Sequence, residues 1–123
     1  MNIQLIQDIS NFLLDTLINK HGCGWFDGGC YTFVSAVCEV IQEAESYYIS
    51  RNCNVRDHAV VYLPSIDRYL DADGIQTRSE LFNKMKEVEL TKVTVLLPFH
   101  DLEQYPVYEK IKDTFVKEYY KAA

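Results

Sequence analysis

Apolar side chains recur every three or four positions at the start of the chain: Ile3, Ile6, Ile9, Leu13 and Leu17, with Leu5, Phe12, Leu14 and Ile18 widening the stripe. That period predicts an amphipathic helix over residues 3–19. Asn19-Lys20-His21-Gly22 ends it, Gly22 being suited to a left-handed cap. A second helix is predicted over about residues 30–45, where Cys30, Phe33, Val34, Val37, Cys38, Ile41 and Ala44 share one face and Glu39, Glu43 and Glu45 point away. The pattern then changes. Tyr47 to Ser50 is rich in β-formers, and Ala59 to Leu63 and Tyr69 to Ala72 flank the turn-prone Pro64-Ser65-Ile66-Asp67, which predicts a β-hairpin. A short helix over about 79–87 with Ser79 as its cap and a strand over Lys92 to Leu97 follow. The last helix starts at Glu103 or Val107 and runs to Tyr120, with Val107, Ile111, Phe115 and Tyr119 four apart and Pro106 fitting its first turn. No repeat or linker interrupts the series, so residues 1–123 are expected to form one α+β domain with N-terminal helices packed on an antiparallel β-sheet.

Composition narrows the functional classes. At 123 residues, 48% apolar and 24% charged, the chain can bury a core without staples. No apolar run approaches the roughly 18 residues that span a bilayer, so no membrane role is expected. Met1-Asn2-Ile3-Gln4 lacks a basic leader segment, and Asp8 and Asp15 break any apolar one, which points to a cytoplasmic address. The net charge is −6, and residues 1–50 hold one base against six acids. Nucleic acid is therefore not expected as a partner. Cys23, Cys30, Cys38 and Cys53 are expected as free thiols in that compartment, with Cys38 buried on the apolar face of its helix.

Four of the five glycines fall within residues 21–30, His21-Gly22-Cys23-Gly24-Trp25-Phe26-Asp27-Gly28-Gly29-Cys30. Such a concentration marks backbone closed to residues with a Cβ, or backbone that something must approach. Cys30 follows Gly28-Gly29 and opens the second helix, where unpaired N–H groups and the helix dipole favour a thiolate. The Gly28 and Gly29 amides could stabilise an oxyanion. A thiol nucleophile needs a base, and the base needs a group to orient it. Asp57-His58-Ala59-Val60-Val61-Tyr62 places His58 at the start of an apolar strand, and Tyr69-Leu70-Asp71-Ala72-Asp73-Gly74 lies across the hairpin. With Leu63 facing Arg68, simple register sets Val60 opposite Asp71 and His58 opposite Asp73, all on one face. Either carboxylate could then hold His58.

Gly-Gly-Cys-Tyr-Thr-Phe at a helix start, His-Ala-Val-Val on a strand and Tyr-Leu-Asp-Ala-Asp-Gly on the next resemble the papain-like superfamily, and within it the transglutaminase-like and arylamine N-acetyltransferase branch. The same residues are similar to small bacterial and bacteriophage proteins with a Gly-Gly-Cys, His-Val-Val, Asp-Ala-x-Gly pattern. The resemblance covers roughly residues 22–76. It implies a papain-like fold with site order Cys-His-Asp: Cys30 as nucleophile, His58 as base, and Asp71 ahead of Asp73 as orienter. The papain type also uses a glutamine shortly before the cysteine as an oxyanion donor. Residues 21–30 contain none, and Trp25 carries the only side-chain donor of comparable placement. Tyr31, Tyr62 and Tyr69 could line a cleft beside the triad.

The resulting expectation is a small thiol hydrolase or acyl-transfer enzyme acting on an amide or thioester bond of a protein or peptide substrate. The alternative is a non-catalytic acidic binding module, such as a phage-type inhibitor of a host protein, that keeps the fold. Cofactor and metal are expected to be absent: His21, Cys23, Cys30 and Cys53 lack the close pairing of structural zinc sites, and Asp71 to Gly74 lacks the remaining spacing of a calcium loop. His100 is expected in a surface loop. The pattern implies no oligomeric state.

Overall fold

A computed structural model describes residues 1–50, 58–88, 95–98 and 107–122. They form an α+β fold of four helices and a five-stranded antiparallel sheet. Helix α1 spans Ile3–His21 and buries Ile6, Ile9, Leu13 and Leu17. The Asn2 side chain accepts the Leu5 N–H at its start. Gly22, at φ 67°, closes it by donating to the Ile18 carbonyl. Phe12 and Ile18 do not join the buried stripe: Phe12 is 70% exposed. The stripe is narrower than the apolar residues suggest because α1 packs against α4 and the sheet end on one side only.

Helix α2, Cys30–Val40, begins at the cysteine as expected but is shorter than the predicted span. Ile41 leaves the helix in extended conformation and is buried, which turns the chain directly into strand β1, Glu45–Ser50. Burial of a large apolar side chain there outweighs the helical pattern of residues 41–45. Cys38 is half-buried rather than buried.

Strands β2 (His58–Leu63) and β3 (Arg68–Asp71) form the predicted hairpin around a 3-10 turn at Pro64–Ile66. Its register pairs Leu63 with Arg68 and Val61 with Leu70. A short strand not foreseen, β4 (Gly74–Gln76), folds back on β3 and pairs Asp71 with Gly74. Strand β5, Val95–Pro98, flanks β1, giving the order β4-β3-β2-β1-β5. Helix α3, Arg78–Val88, lies between β4 and β5 in the chain. Its cap is Thr77, not Ser79. Thr77 Oγ1 accepts the Glu80 N–H, and Glu80 answers by accepting the Thr77 N–H, a reciprocal capping box. Helix α4 is Glu109–Ala122, with Ile111, Phe115 and Tyr119 buried. Residues 92–94 of the predicted strand, Pro106 and His100 lie outside the described residues.

Strand alternation divides the core in two. Ala59, Val61, Leu63 and Leu70 face α1, α2 and α4, and join the main core with Leu17, Phe33 and Phe115. Val60 and Ile49 face the opposite way and pack on Leu81 and Met85 of α3. The sheet is thus a middle layer between three helices and one. His58 and Asp71 have the parity of Val60 and point toward the α3 side. Among the described residues no helix is long and apolar enough to cross a membrane.

Candidate functional site: a cysteine, a histidine and two aspartates

The 23–29 loop, packed between α1 and α2, brings the cysteine to its place. Gly24 N–H donates to Asp27 Oδ1, and Gly29 N–H donates to the Gly24 carbonyl at 2.9 Å, so the loop closes on itself. Gly28 has φ 130°, which an L side chain rarely adopts. Trp25 is the loop's anchor. Its indole N–H donates to the Ser10 carbonyl of α1 at 2.8 Å, and its ring meets Phe33 and Phe115 edge-on in the core. The indole that the sequence offered as an oxyanion donor is therefore turned toward α1. The Gly29 amide is likewise engaged within the loop.

Cys30 stands at the head of α2 and is 6% exposed. Its helix, capped by Gly29, has no side-chain cap. Burial works against charge on His58, but the hydrogen bond to Asp71 and the adjoining Cys30 side chain outweigh it and raise its pKa to about 9. Nε2 of His58 donates to Asp71 Oδ2 at 3.3 Å. Among the described residues, buried Nδ1 meets no partner in hydrogen-bonding geometry, which leaves it as the nitrogen for Cys30. The structure thus brings Cys30, His58 and Asp71 together.

Asp71 is 1% exposed and has both oxygens occupied. Oδ1 accepts the Asp73 N–H at 2.9 Å, while Oδ2 faces His58 and also accepts from Lys84 Nζ of α3. Burial alone would raise the Asp71 carboxyl, but His58 and Lys84 hold it below its ordinary value. Asp73 takes a different place. Extending the hairpin register would set it opposite His58, but β3 ends at Asp71 and residues 72–73 turn into β4. Its side chain is 59% exposed and meets Lys84 at 3.3 Å. The diagonal neighbour Asp71, not Asp73, reaches the imidazole.

Two contributors carry no signal in the sequence. Phe26 stacks on the His58 ring with centroids 5.0 Å apart and planes 22° apart. Lys84 Nζ lies 5.1 Å from the Phe26 centroid on top of its two carboxylate contacts. Lys84 looks like any lysine on a helix face, and only the docking of α3 reveals its partners. Tyr31 is half-buried against the main core. Tyr62 and Tyr69 pack against each other at 4.9 Å near the hairpin turn, where Tyr62 donates to Asp67 at 2.8 Å. Four residues of strand, about 13 Å, separate Tyr62 from His58. Cys23 is buried and donates to the Tyr108 hydroxyl at 3.7 Å. Cys23, Cys30 and Cys38 are free thiols, and Cys53 lies outside the described residues. Among the described residues no three His, Cys, Asp or Glu side chains converge as metal ligands. No protein-family model, curated protein or solved structure matches the chain.

Proposed function

We propose that the chain is a small cysteine hydrolase or acyl-transfer enzyme, papain-like in its Cys-His-Asp order and acting on an amide or thioester carbonyl. The observation that carries this reading is His58, fixed by Asp71 through Nε2 and presenting its other nitrogen beside a cysteine at a helix head. A histidine so held is stabilised as imidazolium, which is the partner a thiolate nucleophile requires. Cys30 attacks the carbonyl carbon as thiolate. The carbonyl electrons move to oxygen, and of the 28–30 amides those of Gly28 and Cys30 are left to hold it, that of Gly29 being engaged within the loop. As the tetrahedral adduct collapses, His58 Nδ1–H gives its proton to the departing amine or thiolate and leaves an acyl-Cys30. In the hydrolase, neutral Nδ1 then takes a proton from water, whose oxygen attacks the acyl carbon, and the C–S bond breaks to release the acid and the Cys30 thiolate. In the transferase an acceptor amine takes the place of water. Asp71 is a positioning residue that stabilises the imidazolium.

The closed state of the site favours a second reading, an acidic binding module in which the same residues only hold the fold. Alkylation separates the two. Under native conditions with iodoacetamide, Cys30 should react about tenfold or more faster than Cys38, whose thiol burial pushes up to about 11. His58→Asn should abolish the difference, as quantified by peptide mass mapping. A Cys30 rate untouched by His58→Asn would refute the enzyme reading and leave the binding module.

A further inference from the structure

We propose that Phe26 and Lys84 form a latch that holds the glycine loop shut over the Cys30–His58 pair, with Lys84 as its positioning residue. This regulation of the site rests on the cysteine-hydrolase reading. Cys30 and His58 are 6% and 1% exposed, so no acyl group reaches the sulfur without movement. The ring lying on the imidazole is Phe26, nearly parallel to it at 5.0 Å. Beyond it comes the Lys84 ammonium, 5.1 Å from the same ring. Lys84 belongs to the opposite layer of the fold, and its ammonium is fixed in place by Asp71 and Asp73. It therefore ties the loop of the helical layer to the hairpin and α3 through one cation–π contact.

The loop is built to move at its tip and nowhere else. Trp25, on one side of Phe26, is anchored to Ser10 and sunk among Phe33 and Phe115. Cys23 is buried and bonded to Tyr108. On the other side Gly28, at φ 130°, supplies a pivot, and Gly29 is wedged with the position of a Cβ only 2.7 Å from the Gly24 carbonyl oxygen. Phe26 and the exposed Asp27 are what remains between anchor and pivot. Swinging that tip outward breaks the bond from the Gly24 amide to Asp27, uncovers the imidazole and opens the way to the thiol, while Asp71, His58 and Lys84 keep their mutual bonds. The machinery stays assembled, and only access changes.

The test compares alkylation of Cys30 by a small reagent, iodoacetamide, and a bulky one, pyrene maleimide, each normalised to the urea-unfolded chain and read by peptide mapping. Phe26→Ala should raise the bulky-to-small rate ratio about tenfold, the scale of losing one partly desolvated cation–π contact and its ring. Lys84→Met should raise it similarly, and Lys84→Arg, which keeps a cation over the ring, should restore the parental ratio. A ratio unchanged in Phe26→Ala overturns the latch, and so does a Lys84→Met ratio equal to that of the parent. Activation is read from the effect of His58→Asn and gating from reagent size, so either can fail while the other stands.

Discussion

Asp71→Asn removes one charge from a site 1% exposed while keeping its shape, and its consequence can be worked through the His58 proton. In the folded chain His58 keeps that proton up to about pH 9, whereas the free side chain releases it near 6.5. At about 1.36 kcal/mol per pH unit, the protonated ring contributes about 3 kcal/mol of stability. Between those limits the unfolded chain binds fewer protons than the folded one. Stability is therefore fully present below about 6.5 and is lost as the pH rises through about 9. In Asp71→Asn, burial acts on His58 against the Cys30 side chain alone, and the His58 pKa falls. The cost of the lost partner is capped near that same value, because the ring can shed its charge instead of remaining buried and unpaired. The variant should be less stable than the parent at about pH 6, and the deficit should shrink by up to about 2–3 kcal/mol by about pH 9, less by the share that Cys30 still supplies. A residue of the deficit persists because Lys84 also loses its buried acceptor. Urea unfolding under reducing conditions, followed by the fluorescence of the single, buried Trp25, measures both curves. Titrations remote from Asp71 cancel in the difference. A deficit that stays constant across this range would refute the assignment of the proton to a His58–Asp71 pair.

Two further outcomes follow from packing. Gly29→Ala should cost about 1–3 kcal/mol, because the new methyl would lie 2.7 Å from the Gly24 carbonyl oxygen and 2.8 Å from Leu17 Cδ2; a melting temperature unchanged from the parent would show that the loop yields freely. Phe115→Ala should cost about 3–5 kcal/mol in urea unfolding, since the ring is fully buried and edge-packed against Trp25 and Phe33; a loss below about 1 kcal/mol would mean that the helices close over the gap.

The parts of the fold legible in the sequence are those with a local physical cause. The period of Ile6, Ile9, Leu13 and Leu17, and a glycine able to adopt φ 67°, define α1 without help from the rest of the chain. The Leu63–Arg68 register follows from the length of the turn between the strands. Other elements depend on partners distant in sequence. The end of α2 is decided by Ile41 finding the core, and β4 exists because β3 offers it an edge. The same division runs through the candidate site. The residue types and order of Cys30, His58 and Asp71 could be read directly. Register alone favoured Asp73, and what displaces it is the turn into β4, which ends the ladder at Asp71. Phe26 and Lys84 were not legible, because a ring stacked on an imidazole and an ammonium beyond it arise from how two layers dock.

The hairpin also has a consequence for the order in which the molecule is assembled. His58 and Asp71 are separated by only 13 positions, and the turn between their strands is tight. Closing so short a loop costs little chain entropy, and hairpins form within about 1–10 μs. His58 and Asp71 are thus brought into register by contacts local to one hairpin, and no helix is needed to align them. Cys30 comes from a separate element and joins only when α2 settles on the sheet. A nascent or partly folded chain can hold its imidazole and carboxylate in register while its thiol is still elsewhere, so reactivity of the kind proposed for Cys30 is reserved for the state in which the whole tertiary structure is in place.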